Sequence, residues 1–384
     1  MTSARVPPHG AACSSTIDLS PWRRCRYAGA MRIPLRTLGK VAVVLALSAL
    51  AGCGDDEGGT TTTGGEVPRK PMFLVANSRG DNVLRFEQYT GALVDVFIPK
   101  GTGGLFHPDS MTLGPEGDLY IASGDTPETS AVLRFDSSTG AFYGEFAKGG
   151  GLHRPYGIAF GPDGRLYVAS FLTDQILRYD GKKGDFIDVF KEGDGMPGGL
   201  NGPNGLLFGP DEKLYVTTQG SVAENGTPMF PGLPSQVLQI DVTTGEMVVF
   251  ADQPALSDAG HGYISLLGLA YGPDCNAGLC ELYVSDYAND IRRYDFTMGT
   301  LLGTIATNYT GNTPSGNYLG GLSFGDGGRI FTVGFDVDDT KGNPGTVLRF
   351  EADGTPVPAS GQSGAVLVKE DARLARPIGI LALP

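Results

Sequence analysis

Short runs of apolar residues recur along the chain in groups of four, and turn residues separate the runs. In the clearest copy, apolar runs at 155–160 and 166–169 flank the turn 161–164, which reads Gly-Pro-Asp-Gly. Proline fixes φ in such a turn and glycine accepts a positive φ, so the chain can reverse there. Two further runs, at 176–180 and 185–190, follow similar turns. The pattern predicts four short antiparallel strands in each copy.

The third run of each copy gives the number of repeats. It occurs at 84–86, 133–135, 177–179, 238–240, 292–294 and 348–350. The first copy lacks an inner strand, and residues 376–380 repeat the inner-strand sequence of 154–158. Such self-similarity indicates a repeat architecture. We therefore predict an all-β fold over 72–384, a six-bladed β-propeller of four-stranded antiparallel blades. The C-terminal strand joins the first blade and closes the ring, which removes open sheet edges.

The first 52 residues have the pattern of a leader rather than of a folded segment. An apolar run at 41–51 follows the basic residues Arg32, Arg36 and Lys40. This arrangement is typical of a signal peptide, and the run is too short to span a bilayer. Met31 offers a second possible start. Residues 53–71 are polar and of low complexity, which predicts a flexible tether.

The segment Leu50-Ala51-Gly52-Cys53 resembles the lipobox of bacterial lipoproteins. The resemblance implies that Cys53 is lipidated and becomes the mature N-terminus, so we expect an extracytoplasmic protein anchored to a bacterial membrane. Gly54 stands where an aspartate would signal retention at the inner membrane, which favours the outer membrane.

Charge narrows the set of partners. Of 29 Lys and Arg and 42 Asp and Glu, seven basic residues and one acidic residue precede position 53, so the remainder carries a net charge of about −19. Such a charge repels nucleic-acid phosphates and anionic headgroups. We expect no nucleic-acid partner, membrane contact through the lipid alone, and a monomer.

Two cysteines remain after the leader and the lipid site are set aside. Cys275 and Cys280 are separated by four residues. In an oxidising compartment they predict a disulfide that closes one small loop.

The sequence at 155–169 resembles the NHL repeat and the gluconolactonase-like six-bladed propellers. That group contains ligand binders, lactonases and lyases, so the resemblance implies a fold rather than one activity. In such a ring, the residue after the inner-strand proline is expected at the top of the central channel. The aligned residues are Asp109, Tyr156, Asn204, Leu267, Gly320 and Ile378.

Insertions crowd onto the same face. They lie at 218–236, 251–263, 307–318 and 334–346. Insertions confined to one face of a repeat protein usually mark its binding face. We predict that this face binds a protein, peptide or small molecule, with Asp109, Tyr156, Asn204, His107 and His153 at the channel mouth.

The gluconolactonase resemblance implies a second interpretation, a divalent-metal-dependent hydrolase of lactones or esters. Asp109 and Asn204 would supply oxygen ligands to calcium or a similar cation. Ile378 stands where the resemblance places a glutamate. His107, His153 and His261 are the only histidines after the leader and could together bind zinc, although solvated loop positions explain them better. A binding or scaffolding function is the main expectation.

Overall fold

Every predicted blade is a four-stranded antiparallel sheet in the computed structural model, which describes residues 70–277 and 280–383. Blade 1 contains β1 (Met72–Asn77), β2 (Asn82–Glu87) and β3 (Leu93–Ile98). Blade 2 contains β4 (Met111–Leu113), β5 (Leu119–Ser123), β6 (Ala131–Phe135) and β7 (Phe142–Lys148). Blade 3 contains β8 (Pro155–Phe160), β9 (Arg165–Ser170), β10 (Gln175–Asp180) and β11 (Phe186–Glu192).

The remaining blades follow the same order from the inner to the outer strand. Blade 4 contains β12 (Pro203–Phe208) and β13 (Leu214–Thr218), then the hairpin strands β14 (Val222–Glu224) and β15 (Thr227–Met229), then β16 (Val237–Ile240) and β17 (Met247–Ala251). Blade 5 contains β18 (Leu266–Tyr271), β19 (Glu281–Asp286), β20 (Ile291–Asp295) and β21 (Leu301–Ile305). Blade 6 contains β22 (Asn317–Phe324), β23 (Ile330–Asp336), β24 (Pro344–Phe350) and β25 (Val366–Ala375).

The C-terminal strand closes the ring, as the half-repeat predicts. β26 (Pro377–Ala382) pairs antiparallel with β1, and Val75 lies opposite Ile380. Blade 1 is therefore assembled from both ends of the propeller, in the order β26-β1-β2-β3. The described residues all belong to one compact unit. Because this segment closes its own ring, we expect it to fold without the preceding sequence.

The core lies between neighbouring blades. Leu74 of blade 1 belongs to the same buried cluster as Ile121 of blade 2, and Tyr120 of blade 2 shares a cluster with Val168 of blade 3. A strand whose two faces both meet another blade needs apolar residues on both faces. This explains why the strand sequences show continuous apolar runs rather than alternation.

Glycines allow the inner strands to approach one another at the channel. A Cβ at Gly157 would lie 2.2 Å from the Asn204 carbonyl oxygen, and one at Gly379 would lie 2.0 Å from the Asp109 carbonyl oxygen. Blade 2 has Ser110 at the equivalent position, and its hydroxyl donates a hydrogen bond of 2.6 Å to the Tyr156 carbonyl. The recurrent Pro-x-Gly sequence is thus set by lack of space between adjacent strands.

The structure differs from expectation in the secondary structure of one insertion and in the length of another. The insertion at 218–236 is not a plain loop, because β14 and β15 fold back as a separate hairpin. The link between β23 and β24 is shorter than the 334–346 predicted, because β23 continues to Asp336 and β24 begins at Pro344.

The predicted disulfide between Cys275 and Cys280 is present. The predictions for the leader, the lipid site at Cys53 and nearly all of the tether 53–71 concern residues outside the described range. Across the described part of the chain, no helix has the length and apolar character needed to cross a membrane.

Candidate functional site

The inner strands surround a central channel that widens at one end into a mouth. The channel cavity measures about 300 Å³ and the mouth cavity about 770 Å³. The neck between them is formed by the residues that line both cavities, Asp109, Tyr156, Leu267 and Ile378. These are four of the six positions that the repeat alignment places at the top of the channel.

Two of the four predicted insertions build the walls of the mouth. The insertion at 218–236 contributes Gln219, Pro228 and Phe230, among others. The insertion at 251–263 contributes Gln253, Leu256 and Tyr263. Phe230 is 65 % exposed and Leu256 is 57 % exposed, so the rim presents apolar side chains to solvent.

Two arginines line the mouth from equivalent places in different blades. Arg154 precedes Pro155 at the start of β8, and Arg376 precedes Pro377 at the start of β26. Both have left-handed backbones, with φ of 57° and 49°. Gly202 has φ of 62° at the same place in blade 4. A residue before proline favours extended conformations, and a left-handed backbone is costly for any residue except glycine.

The same hydrogen bond fixes all three of these residues. The carbonyl oxygens of Arg154, Gly202 and Arg376 accept from the backbone N–H groups of Phe171, Gln219 and Ser78, respectively. Each donor is the residue after the second strand of its own blade. The repeat therefore imposes the backbone, and the side chain at this position is free to differ between blades.

Arg154 is neutralised by a neighbour from blade 2. Its side chain is 11 % exposed and donates from Nη1 to Asp125. The same Nη1 lies 3.4 Å from His107 Nδ1. Burial and then the Arg154 charge lower the pKa of His107, so this imidazole is neutral near pH 7.

Arg376 has no such partner. Among residues 70–277 and 280–383, no carboxylate lies within 4.0 Å of its guanidinium nitrogens. Its Cζ lies 6.0 Å from the centre of the Phe335 ring. Asp336 in blade 6 aligns with Asp125 in blade 2, because Ile330 and Leu119 pair with equivalent phenylalanines of the third strands. It pairs with Lys341 instead, at 3.1 Å.

Asp109 at the neck is a buried carboxyl group with one unsatisfied oxygen. It is 5 % exposed, and within the described residues Oδ2 has no hydrogen-bond partner. Burial raises its pKa to about 6, although Arg154 and Arg376 act in the opposite direction. Asn204 is also 5 % exposed, and Nδ2 likewise lacks a partner in this part of the chain.

Aromatic rings cover much of the rest of the mouth. Tyr156 lies 4.6 Å from Phe171, measured between ring centres, and the Arg154 guanidinium lies 5.3 Å from the Tyr156 ring. On the opposite side, Tyr287 stacks on Tyr318 at 4.6 Å with an interplanar angle of 19°. The cavity is thus apolar and aromatic, with a few charged groups at its floor.

The structure brings together some of the predicted site residues and separates others. Asp109 and Tyr156 line both cavities, and Asn204 lines the channel. His107 lies beside the Arg154–Asp125 pair and does not line either cavity. His153 packs under the hairpin turn, where a Cβ at Gly226 would lie 2.7 Å from His153 Cε1.

The metal interpretation receives little support from the donor set. His261 Nε2 lies 2.9 Å from the Asn317 carbonyl oxygen. His107 instead lies beside Asp125, and His153 lies under the hairpin turn. No group of three His, Cys, Asp or Glu side chains within the described ranges is placed to hold a metal ion. Of the described residues that line the channel, only Asp109 and Asn204 offer side-chain carboxylate or amide oxygens, and calcium takes six to eight oxygen ligands. This set does not fit such a cation.

Sequence reasoning missed both arginines as site residues. The recurrence of Arg-Pro at 154–155 and 376–377 was a visible signal, but it indicated only how the ring closes. Tyr263 carries no repeat signal, because it lies in an insertion. Tyr287 follows the second strand of blade 5, the position that Phe171 and Gln219 hold in blades 3 and 4, so the repeat alignment could have found it.

Comparison with known proteins shows the fold and no more. No protein-family model matches the chain, and no curated protein matches it. A chain of the nidogen/laminin complex superposes with a TM-score of 0.53 at 10% identity, covering 82% of this chain and 98% of that one. A protein of unknown function from Bacteroides caccae gives 0.53 at 11% identity, covering 82% and 99%. Virginiamycin B lyase from Staphylococcus aureus gives 0.46 at 13% identity, covering 81% and 87%. The chain is a six-bladed propeller, and its membership of the NHL or gluconolactonase group stays a prediction.

Proposed function

We propose that this protein is a lipid-anchored, extracytoplasmic binding protein whose propeller holds a small ligand in the mouth cavity. The observation that carries the proposal is the cavity itself. Its volume of about 770 Å³ lies within the range of about 300–1,000 Å³ that is usual for small-molecule sites. Its lining also has the composition of such a site, apolar and aromatic with a few convergent polar groups.

The unsatisfied polar atoms support a bound ligand. Asp109 Oδ2 and Asn204 Nδ2 are buried without partners in the described structure. A buried polar group that lacks a hydrogen bond costs about 1–3 kcal/mol. A ligand or ordered water at the neck would recover part of this cost.

The sequence supports the anchor and the compartment. The apolar run at 41–51 ends at Cys53 in a lipobox-like tetrapeptide. Cys53→Ser should leave the protein unprocessed or soluble. If the variant still partitions with membranes, the lipid anchor is wrong, whatever the propeller binds.

The binding function can be tested with an uncharged fluorescent probe. N-phenyl-1-naphthylamine brightens when it leaves water, and we expect it to bind residues 66–384 at one site. Gln219→Trp places an indole in the mouth and should weaken this binding by about tenfold or more, since the added ring takes up the volume in which the probe packs. Gln362→Trp makes the same change in an exposed loop and should have no effect. Equal binding to both variants would place the probe elsewhere and contradict the proposal.

The hydrolase alternative has its own test. A metal that binds only the folded state raises the unfolding midpoint in proportion to its binding. We expect the midpoint of residues 66–384 to be unchanged by calcium or EDTA. A clear calcium-dependent rise that Asn204→Ala abolishes would favour the metal-dependent hydrolase.

A further inference from the structure

We propose that the mouth cavity selects aromatic ligands that bear a carboxylate or sulfonate, and that Arg376 binds this anion. The inference rests on the proposed function, because it specifies the ligand of the same cavity. Two features of the described residues carry it: an unpaired guanidinium and an aromatic lining.

The first feature is the difference between the two mouth arginines. Arg154 already has Asp125 as its anionic partner. Arg376 has none within 4.0 Å in the described chain, because the equivalent Asp336 pairs with Lys341. An arginine that lines a cavity without a carboxylate partner leaves its forked donors available. This fork matches the two oxygens of a carboxylate or sulfonate.

The second feature is the aromatic lining beside this charge. Arg376 lies near Phe335, and Tyr287 lines the same cavity. Burial raises the pKa of the Tyr287 hydroxyl and the nearby Arg376 partly offsets this rise. Across the cavity, Tyr156 and Phe171 provide a second aromatic surface. Aromatic rings pack well in stacked or edge-to-face contact with such surfaces, so the body of the ligand is expected to be aromatic.

The backbone of Arg376 does not set it apart from the other blades. Arg154 and His107 precede the inner-strand prolines of blades 3 and 2, and both have the same left-handed conformation, with φ of 57° and 46°. What distinguishes Arg376 is the lack of a carboxylate partner in the described chain, together with its aromatic surroundings.

Asp109 sets the depth at which the anion binds. Its carboxyl group lies at the neck, below the mouth. When ionised it repels an anion from the channel, so the anion is held on the Arg376 side of the cavity. Asp109→Asn removes this repulsion and should bind the anionic probe at least as tightly as the wild type.

A matched pair of probes tests the inference. 8-Anilinonaphthalene-1-sulfonate has the ring system of N-phenyl-1-naphthylamine plus a sulfonate. For residues 66–384, Arg376→Gln should weaken the sulfonate probe by about tenfold to a hundredfold, as expected for the loss of a charged hydrogen-bond partner. The affinity for the uncharged probe should change by less than about threefold. Arg376→Gly repeats the test with a residue that suits the left-handed backbone, so a loss of binding in this variant does not come from misfolding.

Arg373→Gln is the control for net charge. Arg373 lies on β25 three residues away, its side chain is 62 % exposed, and it pairs with Asp371 rather than lining the mouth. This variant should bind both probes like the wild type. If it weakens the sulfonate probe as much as the Arg376 variants do, the effect is one of long-range charge and the inference is wrong.

The outcomes separate the two proposals. If neither probe binds, or if Gln219→Trp blocks neither, the mouth is not a ligand site and both proposals fail. If the uncharged probe binds in the mouth but the Arg376 variants affect both probes alike or neither, the binding function stands and the anion selectivity is overturned.

Discussion

Arg154 and Arg376 occupy the same place in two blades and differ only in what surrounds them. Each precedes the proline of an inner strand, each has a left-handed backbone, and each carbonyl accepts the same hydrogen bond. Arg154 is paired with Asp125, whereas the equivalent acid in blade 6, Asp336, pairs with Lys341. The comparison teaches that the repeat fixes where a side chain lies, and that neighbouring links decide whether it is structural or available to a ligand.

The largest effect is expected from substitutions at the close contacts between inner strands, which blades 1 and 3 share. Gly157→Ala and Gly379→Ala would place a Cβ about 2 Å from a carbonyl oxygen of the next inner strand. Each should destabilise residues 66–384 by about 2–3 kcal/mol, since overpacking forces the strands apart. Urea unfolding measures the loss. Gly303→Ala is the control, because nothing lies within 4 Å of the added Cβ. A tolerated Gly379→Ala would mean that blade 1 closes differently from blade 3.

The second prediction separates the two arginines by stability. Arg154→Gly leaves Asp125 without its partner in a site where the arginine side chain is 11 % exposed and the aspartate 37 %. We expect a loss of about 1–3 kcal/mol, less than for a fully buried pair because the carboxylate is partly solvated. Arg376→Gly removes no ion pair of the described structure and relieves a left-handed arginine, so its effect should stay within about 1 kcal/mol. Equal losses in the two variants would show that Arg376 is also structurally paired.

The third prediction concerns Asp109, which faces both arginines. Its folded pKa is raised to about 6 from 3.8, so the folded state binds the proton more tightly than the unfolded state. The stabilising contribution is complete below pH 3.8 and is lost as the pH rises through about 6. Between about pH 5 and pH 7.5, the free energy of unfolding of the wild type should fall by about 1–2 kcal/mol relative to that of Asp109→Asn.

His107 provides the reason for using a difference between two proteins. Its pKa is lowered by burial, so its contribution is present above its ordinary pKa and is lost as the pH falls. The His107 contribution therefore changes with pH in the opposite direction to that of Asp109, and over an overlapping pH range. It is common to the wild type and Asp109→Asn, and it cancels in the difference. Parallel pH curves for the two proteins would show that Asp109 is not buried as described.

The sequence allowed the fold to be predicted because the repeat records it directly. Six third-strand copies and the half-repeat at 376–380 specify the number of blades and the closure by β26. The alignment also placed Asp109, Tyr156 and Ile378 at the neck, since these positions follow a proline that recurs.

The charged and aromatic parts of the mouth could not be predicted in the same way. Asp125 lies 29 residues from Arg154 and in another blade, and no periodic signal links the two. The hairpin β14–β15 and Tyr263 lie in insertions that have no counterpart in the other repeats. Whether an arginine is paired depends on side chains such as Lys341, which the repeat does not specify.

The most direct test of the account is the affinity of residues 66–384 for 8-anilinonaphthalene-1-sulfonate in the wild type, Arg376→Gly and Arg154→Gly. The account predicts a loss of about tenfold or more for Arg376→Gly. Arg154→Gly should retain a larger share of the affinity at a temperature where it is folded. If Arg376→Gly binds the probe as tightly as the wild type does, while Gln219→Trp still weakens its binding, the role assigned to Arg376 is wrong.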